Sequence, residues 1–228
     1  MKLFLFDIDG TLLLSGGAGD RSLAKSFKKC LNCEETTEDI LPDGKTDYLI
    51  IKEIFKKKFP KKELTKKIAD SILENYIAYL KTEVPLSPQF KIMSGVISTL
   101  NELKDSKNVV IGLATGNIEE GARIKLERAN LNRFFTFGGF GSDAEDRTEI
   151  LKIAATRGIH EAKEIIANDS IYVIGDTPYD IQSAKKAGFK SIAVTTGSFT
   201  KKELLKENPD YIYEDFNQLK EDIKKEKI

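Results

Sequence analysis

Cysteine and histidine are scarce in this chain of 228 residues, which contains two cysteines and one histidine. Two cysteines cannot build a disulfide framework, and their scarcity is typical of a reducing compartment, so we expect a cytoplasmic protein. The pair forms the sequence CLNC without the second pair that a zinc site needs, and we interpret both as structural thiols in a helix. The lone histidine, His160, argues against a hydrolase that depends on a Ser–His or Cys–His pair.

Net charge and long apolar runs are also missing. The 36 lysine and arginine residues balance 36 aspartate and glutamate residues. No overall field therefore attracts nucleic acid or an anionic membrane, and we expect neither as a partner. The apolar opening reaches Asp7 too soon to form a secretory signal. No run approaches the roughly 18 apolar residues that cross a bilayer.

Short apolar segments alternate with stretches of helical periodicity over most of the sequence. The pattern predicts strands at 2–7, 109–115, 133–139, 171–176, 191–196 and 210–215. Several of these strands are apolar on both faces, which is typical of a parallel sheet covered by helices on both sides. The predicted fold class is therefore α/β, with a doubly wound, Rossmann-like core.

One interval, residues 15–88, interrupts this alternation because it has no strand pattern. Helices are predicted near 20–32, 45–58 and 62–82, and we expect Pro85 and Pro88 to stop the third. We predict that 15–88 is an inserted, all-helical cap domain. The core domain would then consist of residues 1–14 and 89–228.

Three predicted strands end in side chains that suit metal or phosphate binding. Asp7 and Asp9 follow the first strand, Thr115-Gly116-Asn117 the second, and Asp176 a later one, with Asp180 four residues on. Ligands of parallel sheets bind beyond the carboxyl ends of the strands, so we expect these groups to converge. Converging carboxylates repel one another unless a cation joins them, and Mg²⁺ prefers such oxygen ligands. The Thr115 hydroxyl and a helix starting near Asn117 suit a bound phosphate.

Three motifs in this order, DIDGT (7–11), LATGN (113–117) and GDTPYD (175–180), resemble those of the haloacid dehalogenase superfamily. The inserted helical segment is similar to that of its helical-cap branch, which includes phosphoglycolate phosphatase and β-phosphoglucomutase. The resemblance extends over essentially the whole chain. It implies a magnesium-dependent phosphatase for a small phosphorylated metabolite, acting through an aspartyl-phosphate.

The resemblance also implies roles for individual residues. Asp7 would be the nucleophile, and Asp9 would protonate the leaving alkoxide and then activate water. Mg²⁺ would be held by the Asp7 side chain, the Asp9 backbone carbonyl and Asp176, with support from Asp180. The phosphoryl group would be bound by Thr115, with amides around Gly10, Thr11 and Gly116. True haloacid dehalogenases lack the second aspartate, so dehalogenation is disfavoured.

The family also places a positive charge on the phosphoryl group, usually a lysine followed by proline, and this sequence departs from that pattern. Arg147 stands where the lysine would fall, and Lys125 is the rival. Lys125 lies about eight residues into its helix, so it starts roughly 10–12 Å from the end that faces the site. Arg147 is expected to begin a helix just beyond a strand, and its fork suits phosphate. We favour Arg147.

The segment DGKTD (43–47) contains the Gly-Lys-Thr of a P-loop, but the pattern fails because Asp39 stands where a glycine is required. Two interpretations are left: a cap loop with Lys45 or Asp47 touching substrate, or a plain helix start. For the whole protein, the alternatives to a phosphatase are a phosphomutase of the β-phosphoglucomutase type and a non-catalytic, phosphate-responsive binding protein.

Overall fold

A computed structural model describes residues 1–33, 40 and 42–228. Its strands are β1 (Lys2–Phe6), β2 (Leu13–Leu14), β3 (Lys91–Ile92), β4 (Val109–Ala114), β5 (Gly138–Gly139), β6 (Ile171–Gly175), β7 (Lys190–Val194) and β8 (Tyr211–Tyr213). Six of them form one sheet in the order β5-β4-β1-β6-β7-β8, and every neighbouring pair is parallel. The predicted α/β fold with a parallel sheet is confirmed.

The helices are α1 (Ala18–Leu31), α2 (Asp47–Lys58), α3 (Lys66–Leu86), α4 (Val96–Asp105), α5 (Glu119–Arg128), α6 (Arg147–Ala162), α7 (Pro178–Ala187), α8 (Lys201–Lys206) and α9 (Phe216–Lys224). Apolar clusters cover both faces of the sheet, because the side chains of β1 alternate between them. Phe4 and Phe6 join one cluster, whereas Leu3 and Leu5 join the other. The first aspartates of the chain therefore follow a strand that is buried on both sides.

The helices α1, α2 and α3 pack around an apolar cluster of their own, which contains Phe27, Phe55 and Leu80. The structure places no strand in the described part of 15–88. The interval is flanked by β2 and β3, which pair with each other antiparallel where the chain leaves and re-enters the core. The division into a core (1–14 and 89–228) and a cap (15–88) stays a prediction, and this separate cluster supports it.

One sequence prediction is wrong in detail. The strand predicted over 133–139 is reduced to β5, and Asn132–Phe134 form a 3₁₀ helix instead. The aromatic side chains here fill the core rather than extend the sheet, since the Phe135 ring meets Phe6 edge-on at 5.8 Å between ring centroids. Helix α3 ends at Leu86, within the segment that was expected to stop it, although Pro85 itself lies in the last turn. Arg128 donates hydrogen bonds to the backbone oxygens of Val84 and Ser87 at this end.

Cys30 lies in α1, as predicted for the CLNC segment, and Cys33 follows the end of that helix. In the described part of the chain, no helix is both long and apolar enough to cross a membrane.

Leu80 and Leu86 lie on the same helix and provide a matched test of the packing of α3. Leu80 is fully buried, whereas Leu86 is 81% exposed. We expect Leu80→Ala to lower the free energy of unfolding by about 2–5 kcal/mol, because it leaves a cavity in the apolar cluster. Leu86→Ala should change it by less than about 0.5 kcal/mol. Urea denaturation measures both, and equal effects would contradict this account of the packing.

Candidate active site

Asp7 directly follows β1 at the carboxyl edge of the sheet, and its backbone N–H donates to the Ile174 carbonyl at 3.0 Å. The chain then turns at Gly10, whose φ of 79° lies in the left-handed region that favours glycine. A methyl group at this position would lie 2.3 Å from Oδ2 of Asp176. Only glycine therefore lets the turn approach this second carboxylate.

Three buried carboxylates, those of Asp7, Asp176 and Asp180, lie together at this edge. Each offers one oxygen, and these oxygens all lie within 4.8 Å of one another. Burial raises the pKa of Asp7 to about 6, opposed by Arg147 and reinforced by Asp180. Burial, with the charges of Asp180 and Asp7, also holds the pKa of Asp176 well above its usual range. The loss of hydration is thus the larger cause of both shifts, and repulsion between like charges adds to it.

This donor set fits a hard dication. Carboxylate oxygens are the ligands that Mg²⁺ prefers, and a double positive charge would offset the repulsion between Asp7 and Asp176. The Thr11 hydroxyl donates to Oδ1 of Asp176 at 2.7 Å and orients that carboxylate. The predicted metal residues Asp7, Asp176 and Asp180 are thus brought together, and Asp9 lies two residues beyond Asp7.

Asp180 contacts the loop before α7 and also contacts Arg147. Its Oδ2 accepts hydrogen bonds from the Thr177 N–H at 3.0 Å and from the Thr177 hydroxyl at 2.7 Å, which completes a capping box at the start of α7. Its Oδ1 accepts a hydrogen bond from Arg147. Asp180 therefore holds both the loop and the guanidinium in place.

Arg147 begins α6, where Asp146 caps the helix by accepting from the N–H groups of Thr148 and Glu149. The Arg147 side chain is largely buried, and its Nη2 lies 3.5 Å from Oδ2 of Asp7. The charge of Asp180 and then that of Asp7 raise its pKa against the opposing effect of burial. This guanidinium is the cation beside the predicted nucleophile.

Lys125 also reaches the site, contrary to the distance expected from its place in the helix. Its Nζ lies 2.6 Å from Oδ2 of Asp9 and 2.6 Å from Oδ1 of Asn117, and the side chain is buried. Helical side chains point back toward the N-terminus, so the lysine stem covers the gap to the site. The two rival cations therefore have different neighbours: Arg147 lies beside Asp7 and Lys125 beside Asp9.

Asn117 was predicted as a phosphate-binding residue, but sequence reasoning missed the contact of its side chain with Asp9. Its Nδ2 donates to Oδ2 of Asp9 at 2.8 Å and to the Thr115 hydroxyl at 2.8 Å. The same side chain accepts from Lys125, so that its donors and its acceptor are all used. An asparagine in the LATGN motif was the available signal.

A cavity of about 760 Å³ opens in front of these groups. The core contributes seven of the predicted site residues to its wall: Asp7, Asp9, Thr115, Gly116, Asn117, Lys125 and Arg147. The helical part of the chain contributes apolar side chains and a few polar ones, including Leu23, Lys45, Asp47, Ile50 and Tyr76. The cavity is large enough for a small metabolite.

The DGKTD segment is a helix start that also lines the cavity, whereas contact of Lys45 or Asp47 with substrate stays a prediction. Thr46 caps α2 by accepting from the Leu49 N–H at 3.3 Å, so the segment is a helix start. The same segment lines the cavity through Lys45, which pairs with Glu53 at 2.6 Å, and through Asp47. Burial raises the pKa of Asp47 to about 6, with Lys125 opposing the shift.

The raised pKa of Asp47 predicts a pH-dependent stability. The folded state retains the Asp47 proton up to a pH of about 6, and the unfolded chain loses it near 3.8, so folding becomes less favourable as the pH rises through this window. Asp47→Asn should therefore stabilise the protein at pH 8, on the order of 1–2 kcal/mol because the cavity leaves the carboxyl partly solvated. Thermal unfolding should show this gain shrinking towards pH 4; a constant gain would exclude titration of Asp47 as its cause.

The family model described as haloacid dehalogenase-like hydrolase matches residues 4–194. A phosphoglycolate phosphatase of Aquifex aeolicus is 29% identical over 209 residues, which cover 86% of each chain. Two solved structures share the fold at TM-scores of 0.73. One is of a predicted phosphatase from Clostridium acetobutylicum, 23% identical and covering 98% of both chains. The other is of a β-phosphoglucomutase from Clostridium difficile, 19% identical and covering 100% of this chain and 96% of that one. The chain therefore belongs to the haloacid dehalogenase-like hydrolases, which confirms that it is an enzyme.

Proposed function

We propose that this enzyme is a magnesium-dependent phosphatase that hydrolyses a small phosphorylated metabolite through a phosphoryl group carried on Asp7. One observation supports this most strongly. The Asp7 carboxylate faces a cavity of about 760 Å³, and the Arg147 guanidinium and the carboxylates of Asp176 and Asp180 lie close to it. A nucleophile, a cation for the phosphoryl oxygens and a ligand set for a metal thus meet at one point.

In the first step, an oxygen of Asp7 attacks phosphorus and the bond from phosphorus to the leaving oxygen breaks. Asp9 donates its proton to that oxygen, so that the product leaves as an alcohol. Asp9 lies on the side of the turn that faces Lys125 and Asn117. These two donors fix its carboxyl group, and fixed geometry is what proton transfer to a leaving group requires.

In the second step, water attacks the phosphorus of the aspartyl-phosphate while Asp9 accepts the proton that the water loses. The bond between phosphorus and the Asp7 oxygen breaks, which returns both carboxyl groups to their starting state and releases inorganic phosphate. The cavity wall formed by α1, α2 and α3 excludes bulk water from the first step. The Thr115 hydroxyl and the amides that follow Gly10 and Gly116 would hold the phosphoryl oxygens.

The metal would be held by the side chains of Asp7 and Asp176 and by the backbone carbonyl of Asp9. When bound, Mg²⁺ supplies positive charge to the phosphoryl oxygens and offsets the repulsion between the carboxylates. Asp180 contributes through Arg147 and Thr177, which it contacts directly. We assign the phosphoryl-binding charge to Arg147, because it is the cation beside Asp7, and the orientation of Asp9 to Lys125.

Release of inorganic phosphate tests the proposed function. The panel should contain p-nitrophenyl phosphate, sugar phosphates and 2-phosphoglycolate, the last because the Aquifex aeolicus relative is named for it. We expect release from some members with Mg²⁺ and none with a chelator. Asp7→Asn should abolish turnover, by about 10³-fold or more, in a protein with an unchanged circular dichroism spectrum.

The panel also separates the alternatives. Conversion of one sugar phosphate into its isomer without net phosphate release would identify a phosphomutase. Phosphate-ester binding without turnover by a folded protein would identify a non-catalytic binding protein. Undiminished turnover in Asp7→Asn would overturn the assignment of the nucleophile.

The two cations can be tested by separate substitutions. Arg147→Ala should lower kcat by about 10²- to 10³-fold, because it removes charge from the developing transition state. Arg147→Lys should restore part of this loss. Lys125→Ala should lower kcat less than Arg147→Ala does, since Lys125 contacts Asp9 and Arg147 contacts Asp7. If Lys125→Ala alone is inactive, the phosphoryl-binding charge belongs to Lys125 instead.

A further inference from the structure

The N-terminus of α5 receives a hydrogen bond from a distant part of the chain. Among the described residues, no side chain of its own loop caps this helix. The N–H of Ile118, at the cap position, instead donates to Oδ2 of Asp47 at 2.8 Å. The Asp47 N–H in turn donates to the Gly116 carbonyl at 3.0 Å. Two hydrogen bonds thus join the first residue of α2 to the loop before α5.

The other side of this loop is held by the core. The Gly141 N–H donates to the Asn117 carbonyl at 2.8 Å, and the Glu119 N–H donates to the Ser142 hydroxyl at 3.3 Å. Residues 115–118 therefore lie between residues 141–142 and residues 45–47. Residues 45–47 belong to the predicted cap, so their support of the loop is present only while that segment lies against the core.

Gly116 shows how closely the two segments approach. A methyl group there would lie 2.2 Å from the Lys45 carbonyl oxygen. The φ of Gly116 does not lie among the positive values of the described residues, so alanine could adopt this backbone. The glycine is therefore required by the neighbouring chain and not by its own conformation.

This contact leads directly to the catalytic groups. The loop carries Thr115 and Asn117, and α5 carries Lys125; Asn117 and Lys125 both contact Asp9. We propose that Asp47 is a positioning residue: by capping α5 from α2, it fixes Asn117 and Lys125 against Asp9 when α2 lies on the core. The effect on catalysis rests on the proposed function, whereas the capping itself does not.

The role belongs to the acceptor oxygen of Asp47. Four groups act on its carboxylate: the Ile118 N–H at the cap of α5, the Tyr76 hydroxyl on α3 at 3.5 Å, and the charges of Lys125 and Asp9. An asparagine offers the same acceptor at a helix N-terminus and caps about as well as aspartate, whereas alanine offers none. The two substitutions therefore separate capping from charge.

The activity test compares Asp47→Ala with Asp47→Asn, using p-nitrophenyl phosphate and Mg²⁺. We expect Asp47→Ala to lower kcat about 10- to 100-fold with little change in KM, because a misplaced general acid slows the chemical step. Asp47→Asn should stay within about 3-fold of the parent enzyme. The matched control is Asp70→Ala, which removes an exposed carboxylate of α3 paired with Lys66. Equal damage by the Asn and Ala variants would overturn the capping role.

Amide hydrogen exchange of the peptide that spans residues 116–128 tests the contact without any turnover. The amides at the start of this peptide should exchange faster in Asp47→Ala than in the parent, and at an unchanged rate in Asp47→Asn and Asp70→Ala. Gly116→Ala should accelerate it too, since the methyl group displaces residues 45–47. Unchanged exchange in Asp47→Ala would contradict the inference. If exchange responds as expected but the parent enzyme releases no phosphate, only the proposed function is overturned.

Discussion

Repulsion between the buried carboxylates of Asp7, Asp176 and Asp180 is the constraint on which the rest of the site depends. The fold creates it, because β1 and β6 are adjacent parallel strands and both end at the same edge. Arg147 balances part of it through Asp7 and Asp180. Burial raises the pKa of Asp7 and of Asp176, and the charges of the neighbouring aspartates add to both shifts. The negative charge that Arg147 leaves unbalanced is why a dication suits this position.

A second carboxylate, that of Asp9, lies two residues further along the chain and has a cation of its own. Lys125 and Asn117 both donate to its Oδ2. The two aspartates of the DIDGT motif are thus held by different cations, which suits the different tasks proposed for them: one beside phosphorus and one beside the leaving group. Asn117 and Lys125 are in turn supported from α2 through the hydrogen bond between Asp47 and Ile118. Closure of the cavity and alignment of Asp9 would therefore be one event.

The features that depend on local pattern could be predicted from the sequence. Buried strands, their parallel arrangement and the meeting of Asp7, Thr115 and Asp176 at one edge follow from apolar runs that end in polar residues. Features that depend on packing between distant parts of the chain could not be predicted in this way. The side chain of Lys125 crosses to Asp9, and Phe135 packs on Phe6 instead of extending a strand. The Asp47–Ile118 contact joins residues 71 positions apart, so no local pattern reports it.

The central claim is that Asp7 carries the phosphoryl group during turnover, and chemical trapping tests it most directly. The enzyme is quenched with acid during turnover of p-nitrophenyl phosphate with Mg²⁺ and is then treated with borohydride, which reduces an acyl phosphate to an alcohol. The account predicts that mass spectrometry finds this reduction at Asp7, and nowhere in the peptide when substrate is omitted. Turnover without a reduced Asp7 would contradict the account and indicate direct attack of water on the substrate.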